Sequence, residues 1–132
     1  MDYFDITAPV VKFDSLRTLL AIGNALDWEI EMMDAKSAFV NSDLDEEIYM
    51  RQPDGFNDRS NRVLRLHKAL YGLKQAGRAW HQWLHSALLS FGYIQSSADK
   101  CIYIRINGSN IEIISVYVDD LGLFSNTKEG MV

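Results

Sequence analysis

The stretch SVYVDDLGLFS, Ser115 to Ser125, decides how this chain folds. Two adjacent aspartates, Asp119 and Asp120, separate two apolar runs. The run before them, IEIISVYV (111–118), is apolar on nearly every residue in its second half, as a strand buried on both faces would be. LGLFS (121–125) reads as the return strand, so the aspartates form the connection of a β-hairpin. Tight hairpin turns need positive φ and favour Asn-Gly or Gly-X. Aspartate tolerates that conformation, whereas a β-branched residue such as Val118 does not. Two unpaired carboxylates beside a sheet core also repel each other and resist desolvation. Either they are a solvated turn, or they hold something positive. A hard cation such as Mg²⁺ takes oxygen ligands of this kind, commonly one or two carboxylates plus substrate phosphates.

Working outward, CIYIRI (101–106) is a further strand, joined to 111–118 by the turn signal NGSN (Asn107 to Asn110). Upstream, QAGRAWHQWLHSALLSFG (75–92) is the clearest helix. Ala76, Ala79, Trp80, Trp83, Leu84, Ala87, Leu88 and Phe91 share one face, and Gly92 is a stop signal. FDSLRTLLAIGNALDW (13–28) predicts another helix with Asp14 or Ser15 as N-cap and Leu16, Leu19, Leu20, Gly23 and Leu26 on its apolar face. WEIEMMD (28–34) alternates apolar and acidic residues, which predicts a half-buried strand ending at Asp34. EEIYM (46–50), closed by Pro53 and Gly55, and RVLRL (62–66) are two more short strands. The order α-β-β-β-α-β-β-β predicts a layered α+β domain with an antiparallel sheet.

The bulk numbers agree with one such domain. The chain has 132 residues, 48% hydrophobic and 23% charged, with no linker-like tract and no repeat. No apolar run approaches the ~18 residues that span a bilayer, and the N-terminus lacks the pattern of a signal peptide. The single cysteine, Cys101, rules out an internal disulfide framework, fits a reducing intracellular compartment and predicts a buried, inert thiol. The net charge of −5 argues against a stand-alone nucleic-acid binder. It leaves room for one basic strip of Arg59, Arg62, Arg65, Lys68, Lys74 and Arg78, with His67 among them, able to touch nucleic-acid phosphates. The acidic run Asp43, Asp45, Glu46 and Glu47 reads as a solvated loop. His81 and His85 have i, i+4 spacing but no intervening glutamate, which puts them on the polar face of the second helix rather than in a metal site. Trp80 and Trp83 read as core.

If the strand ending at Asp34 is the sheet neighbour of the hairpin, Asp34, Asp119 and Asp120 converge at one sheet edge. Such a set suits two-metal phosphoryl transfer. At these residues a resemblance becomes specific. MDAKSAFVNSDLDEEIYMRQPDGF (33–56), LHKALYGLKQAGRAW (66–80) and YVDD (117–120), together with DYFDITAPV (2–10) and SADKCIYI (97–104), resemble in collinear order the reverse transcriptase of copia-type LTR retrotransposons.

The resemblance implies a polymerase palm-like antiparallel sheet with a catalytic β-hairpin, packed on helices, plus part of the fingers. It implies RNA-directed DNA polymerase activity with Asp34, Asp119 and Asp120 as catalytic carboxylates. Two Mg²⁺ ions, replaceable by Mn²⁺, would be held by these and by the Ala35 carbonyl. Ser37 and Ala38 would offer backbone N–H groups to the incoming triphosphate. Phe39 would be the steric gate against the 2′-hydroxyl, and Tyr71 and Gly72 would contact nucleotide and template. Tyr117, Val118, Lys74 and Arg78 would lie along primer and template. The implied partners are an RNA or DNA template with primer and dNTPs and the remainder of the pol polyprotein, without a membrane. The implied setting is intracellular and cytoplasmic, within a virus-like particle. Residues 1–132 are expected to be a single partial domain, with thumb, ribonuclease H and integrase outside it, and to be inactive in isolation. A catalytically inactive, truncated retroelement remnant and a different two-metal enzyme such as a nuclease are the alternatives. One departure is Gly77, where the family usually has proline. Glycine there loosens the helix start by about 1 kcal/mol or less.

Overall fold

The computed structural model describes residues 8–128; the expected DYFDITAPV segment therefore lies largely outside the described residues. The chain forms helix α1 (Phe13–Ala25), strand β1 (Glu29–Asp34), a 3-10 turn (Ala38–Asn41), β2 (Asp43–Arg51), β3 (Val63–Lys68), α2 (Ala76–Ser90), β4 (Ile94–Gln95), β5 (Ile102–Asn107), β6 (Asn110–Tyr117) and β7 (Asp120–Ser125). This is the α+β order that the sequence predicts, with the two-residue β4 added. Five strands make one antiparallel sheet in the order β1-β7-β6-β5-β4, while β2 and β3 pair separately.

The β5–β6–β7 meander forms because its sequence alternates little and turns sharply. Asn107 pairs with Asn110 across a two-residue turn in which Gly108 takes φ 62°, the positive value such turns require. Strand β7 lies between β1 and β6, and Leu123, Phe124 and Ser125 are buried. Gly122 is a matter of space. A Cβ there would stand 2.6 Å from Ser115 Oγ on the neighbouring strand.

The helices cover opposite faces of the sheet. Side chains alternate along a strand, so Phe124 and the Tyr103 row face opposite ways. A Cβ on Gly23 of α1 would lie 3.7 Å from Phe124, while His85 of α2 meets the Tyr103 hydroxyl at 3.1 Å. Helix α2 buries Ala76, Trp80, Leu84 and Leu88, the apolar stripe read from the sequence. Its end is a Schellman motif. Gly92, at φ 84°, donates to Leu89 O, and Tyr93 N–H donates to Leu88 O. Beyond it Tyr93 donates to the buried Glu112 at 2.7 Å, and Arg105 reaches the same carboxylate from the next strand at 2.9 Å. Burial and the hydrogen bond to Glu112 push the Tyr93 phenol up to about 12. Gly77 has ordinary room for a side chain, with Ala8 3.5 Å from its would-be Cβ.

Several expectations are corrected. Strand β1 is not half-buried. It is an edge strand, and Met32 is 66% exposed. Leu20 and Leu26 of α1 are exposed, while Leu16 and Leu19 pack on the core. The acidic run 43–47 is not a loop but the first half of β2, and it pairs with the basic strip. Asp43 meets Lys68 at 2.7 Å and Glu47 meets Arg65 at 2.9 Å, while Arg62 bonds Asp58. Two runs of opposite sign on neighbouring strands attract each other, so the strip is not a bare cationic face. Exposed pairs of this kind add little stability. Trp83 stacks on Trp80 at 5.3 Å but remains 43% exposed. The histidines leave the polar face as well. His85 bonds Tyr103, and His81 Nε2 is buried without a partner among the described residues, with burial and then the neighbouring His85 lowering the His81 pKa. Cys101 is buried as expected, and burial, then the Asp99 charge, pushes its thiol up to about 11.

Neither Asp14 nor Ser15 caps α1. The N-cap is Lys12, whose side chain makes no capping bond. The cap comes from across the fold. Asp99, buried in the loop before β5, accepts from Lys12 N–H at 2.9 Å and from Cys101 N–H at 3.0 Å. Burial raises the Asp99 pKa, but bonds from Ser15, Cys101 and Lys12 outweigh it and hold the carboxyl below 3.8. Because the folded pKa is depressed, the contribution is complete above the unfolded value and is lost as pH falls through the folded one. Asp99→Ala is expected to destabilise the chain by about 1–3 kcal/mol in urea unfolding. It should also flatten the acid limb of the stability profile below pH 3.8, the ordinary value of this carboxyl. An unchanged acid limb would remove Asp99 from that role.

Candidate active site

The acidic hairpin is the connection between β6 and β7. Tyr117 pairs with Asp120, so Val118 and Asp119 are its two turn residues. Val118 takes φ 57°. Sequence reasoning assigns positive φ to an aspartate; the structure puts it on the β-branched residue. A valine there costs on the order of 1–3 kcal/mol and persists only when its surroundings over-determine it. They do so here. The Val118 carbonyl accepts a 2.7 Å hydrogen bond from Trp80 Nε1, and the Val118 side chain packs against the core. Trp80 itself is buried in α2.

Strand pairing brings the distant aspartate to the hairpin. In the β1–β7 register Asp34 is opposite Asp120, and Ala35 N–H donates to Asp119 O at 2.9 Å. The next pair along is Asp120 with Tyr117, so Asp34, Asp120 and Tyr117 occupy one row across three strands. Asp34 and Asp120 are exposed, and Asp119 is half-buried.

The wall beside these residues comes from the segments that flank β2 and β3. Ser37, at φ 54°, opens the 3-10 turn, in which Ala38 N–H donates to Ala35 O at 3.1 Å. The Ala38 N–H is therefore already engaged, and it reaches a triphosphate only if that turn opens. The Ala35 carbonyl keeps its second lone pair. Ser42 donates to Phe39 O at 2.8 Å, and Ala69 N–H donates to Ser42 O at 3.1 Å, which lashes the loop before α2 to the turn. In that loop Gly72 takes φ 94°. Tyr71 stands edge-on to Phe39, with ring centroids 4.3 Å apart. Phe39, the expected gate, is only 9% exposed, whereas Tyr71 is 65% exposed.

The Tyr71 hydroxyl donates to Asp119 Oδ2 at 2.8 Å. That bond raises the phenol pKa, assisted by desolvation and by the charges of Asp119 and Asp34. Two of the predicted carboxylates thus act on one point. The third does not join them in a ligand cage. Among the described residues no group of three His, Cys, Asp or Glu side chains stands close enough to hold a metal ion. Strand pairing does bring the three carboxylates to one sheet edge, as the sequence reading expects, and the Asp119 carboxylate is engaged there by the Tyr71 hydroxyl. Lys74 and Arg78 lie at the start of α2; Arg78 lines a cleft with Glu46 and Gln75, and both cations have partners.

Sequence reasoning missed one residue of this site. Trp80 reads only as core, and nothing in its spacing shows that its indole N–H meets a carbonyl on another element. Among the described residues no helix is long and apolar enough to cross a membrane.

Residues 1–131 match the family described as reverse transcriptase (RNA-dependent DNA polymerase). The chain is 42% identical over 131 residues to the retrovirus-related Pol polyprotein from transposon TNT 1-94 of Nicotiana tabacum, covering 97% of this chain and 10% of that protein. It is 40% identical over 128 residues to the Pol polyprotein from transposon RE1 of Arabidopsis thaliana, covering 96% and 9%. A putative transposon Ty5-1 protein of Saccharomyces cerevisiae is 40% identical over 91 residues, covering 67% and 30%. The chain spans about a tenth of the length of the two plant polyproteins. No solved structure matches it significantly.

Trp80→Phe keeps an aromatic ring but strands the Val118 carbonyl. It is expected to lower stability by about 1–3 kcal/mol. Amide hydrogen exchange at 118–120 should accelerate more than exchange in β5. Uniform acceleration would show that Trp80 only fills space.

Proposed function

The chain belongs to the reverse transcriptase (RNA-dependent DNA polymerase) family, and on that premise we propose that it carries the palm-like acidic centre of a template-directed DNA polymerase. One observation carries the reading. The β1–β7 register sets Asp34 and Ala35 against Asp119 and Asp120 at the turn of a rigidly held hairpin. Transfer of a nucleotidyl group needs oxygen donors fixed in position and open to a long polyanionic substrate.

The donor set fits a hard divalent cation. Asp34 and Asp119 both direct charge at the Tyr71 hydroxyl, and carboxylate oxygens are what Mg²⁺ prefers. Asp34 and Asp119 would hold the ion, with the Ala35 carbonyl and Asp120 as further oxygen donors and Mn²⁺ as a substitute. Bound Mg²⁺ would lower the barrier to attack by the primer hydroxyl and neutralise charge on the triphosphate, with two ions sharing these tasks.

The chain's own residues do the rest. The β6–β7 hairpin, pinned through Val118, holds Asp119 at a fixed height above the sheet. Tyr117, in the row with Asp34 and Asp120, would meet the primer end beside Val118. The turn from Ser37 to Phe39 and the Tyr71–Gly72 loop form the wall that an incoming nucleotide would meet. Phe39 backs that wall and excludes a 2′-hydroxyl, and Lys74 and Arg78 face the template side. The substrates on this reading are dNTPs with an RNA or DNA template and its primer, and the wider partner is a Pol polyprotein.

Primer extension on an RNA template with Mg²⁺ tests the centre. Asp119→Asn is expected to lower extension by the native protein about 100-fold or more, the usual loss when a group that stabilises transition-state charge is removed. Extension indifferent to that change would sink the assignment. In the same assay Phe39→Val is expected to admit more ribonucleotide; unchanged discrimination would assign sugar selection to another residue.

A further inference from the structure

Tyr71 does more than stand in the nucleotide wall. Its hydroxyl is committed to Asp119 Oδ2 at 2.8 Å, although the residue is largely exposed and water is at hand. Its reach is set by the backbone. Gly72 holds a left-handed conformation, Leu73 N–H closes a turn onto Leu70 O at 3.2 Å, and Ala69 is tied to Ser42. Its ring is braced edge-on against the buried Phe39. A tyrosine fixed at both ends does not meet a carboxylate by a chance swing of its side chain.

We propose that Tyr71 is a positioning residue that holds Asp119 in the cation-free protein, its hydroxyl proton occupying the carboxylate oxygen that a divalent cation takes. The inference rests on the metal reading given above. The lone pair of Asp119 Oδ2 that the O–H donor takes is closed to a cation while the bond lasts, so the hydroxyl competes with the cation for that one position and leaves the remaining lone pairs open. The hydroxyl also stands in the field of Asp34, which places it where the negative potential of the two carboxylates overlaps. While donating, it offsets part of the repulsion between acids that strand pairing forces together. It also keeps Asp119 in one rotamer, turned to the phenol. When a cation takes that position, the hydroxyl is released and the ring is free to shift over Phe39. Cation binding and the shape of the nucleotide wall are then coupled through one side chain.

Mn²⁺ alone, titrated into the 132-residue chain and followed by its electron paramagnetic signal, tests this without any catalytic readout. Tyr71→Phe keeps the ring and its packing and removes only the hydroxyl. It is expected to bind Mn²⁺ about threefold more tightly than the wild-type chain, the scale of one exposed hydrogen bond removed from competition. Asp119→Asn should abolish that binding. Phe39→Leu, which loosens the ring but leaves the phenol, should not tighten it. In the unaltered chain Mg²⁺ is expected to shift the Tyr71 ring resonances. Unchanged or weaker Mn²⁺ binding in Tyr71→Phe, or unmoved ring resonances, with binding still dependent on Asp119, overturns the positioning role and leaves the metal reading standing. Absence of any Asp119-dependent binding in both chains overturns the two together.

Discussion

The hydrogen bond from the Trp80 indole to the Val118 carbonyl is the constraint on which the site depends. A β-branched residue at φ 57° does not hold that conformation unaided. The bond takes the carbonyl of the strained peptide into helix α2, and the valine side chain is packed at the same time. With the turn fixed, Tyr117 pairs with Asp120, and β7 runs back between β6 and β1. Asp119 then projects at the point where β1 ends. Without it the turn would relax toward an ordinary loop, and the acidic pair would lose its height above the sheet.

The same logic of distant elements supporting one another runs through the rest of the molecule. Helix α1 is capped by Asp99, which lies far along the chain in the loop before β5. The acidic half of β2 is matched by the basic β3. The turn at 38–41 and the loop at 69–72 are joined through Ser42. Each device uses a polar group whose partner is on another element. The relation of this chain to the Pol polyproteins is consistent with such a division: rigid strands mount the acids, and short segments between them present the aromatic side chains.

Much of the fold was legible. The stripe from Ala76 to Leu88 marked α2, Gly92 marked its end, and Asn107 to Asn110 marked a hairpin, because helix periodicity and turn chemistry are local properties. The acids of the site were legible because two adjacent aspartates between apolar runs break local rules, and the collinear resemblance gave them a family. Burial of β1 was misread because alternation of apolar and acidic residues does not say whether a second layer exists to cover the apolar side. The acidic 43–47 run was misread as a loop because a strand stabilised by cross-strand charge looks, by itself, like solvated chain.

By itself, then, the sequence determined the element order, the apolar faces of the meander and α2, the identity of the acids and the family to which the chain belongs. These follow from spacing, from turn residues and from collinear motifs. Tertiary structure alone decided which residue carries the strain of the hairpin, which donor holds its carbonyl, which carboxylate caps α1, and that a phenol donates to Asp119. Those outcomes depend on pairing between residues far apart in the chain, where charge, register and burial are set by the partner and not by the neighbour in sequence.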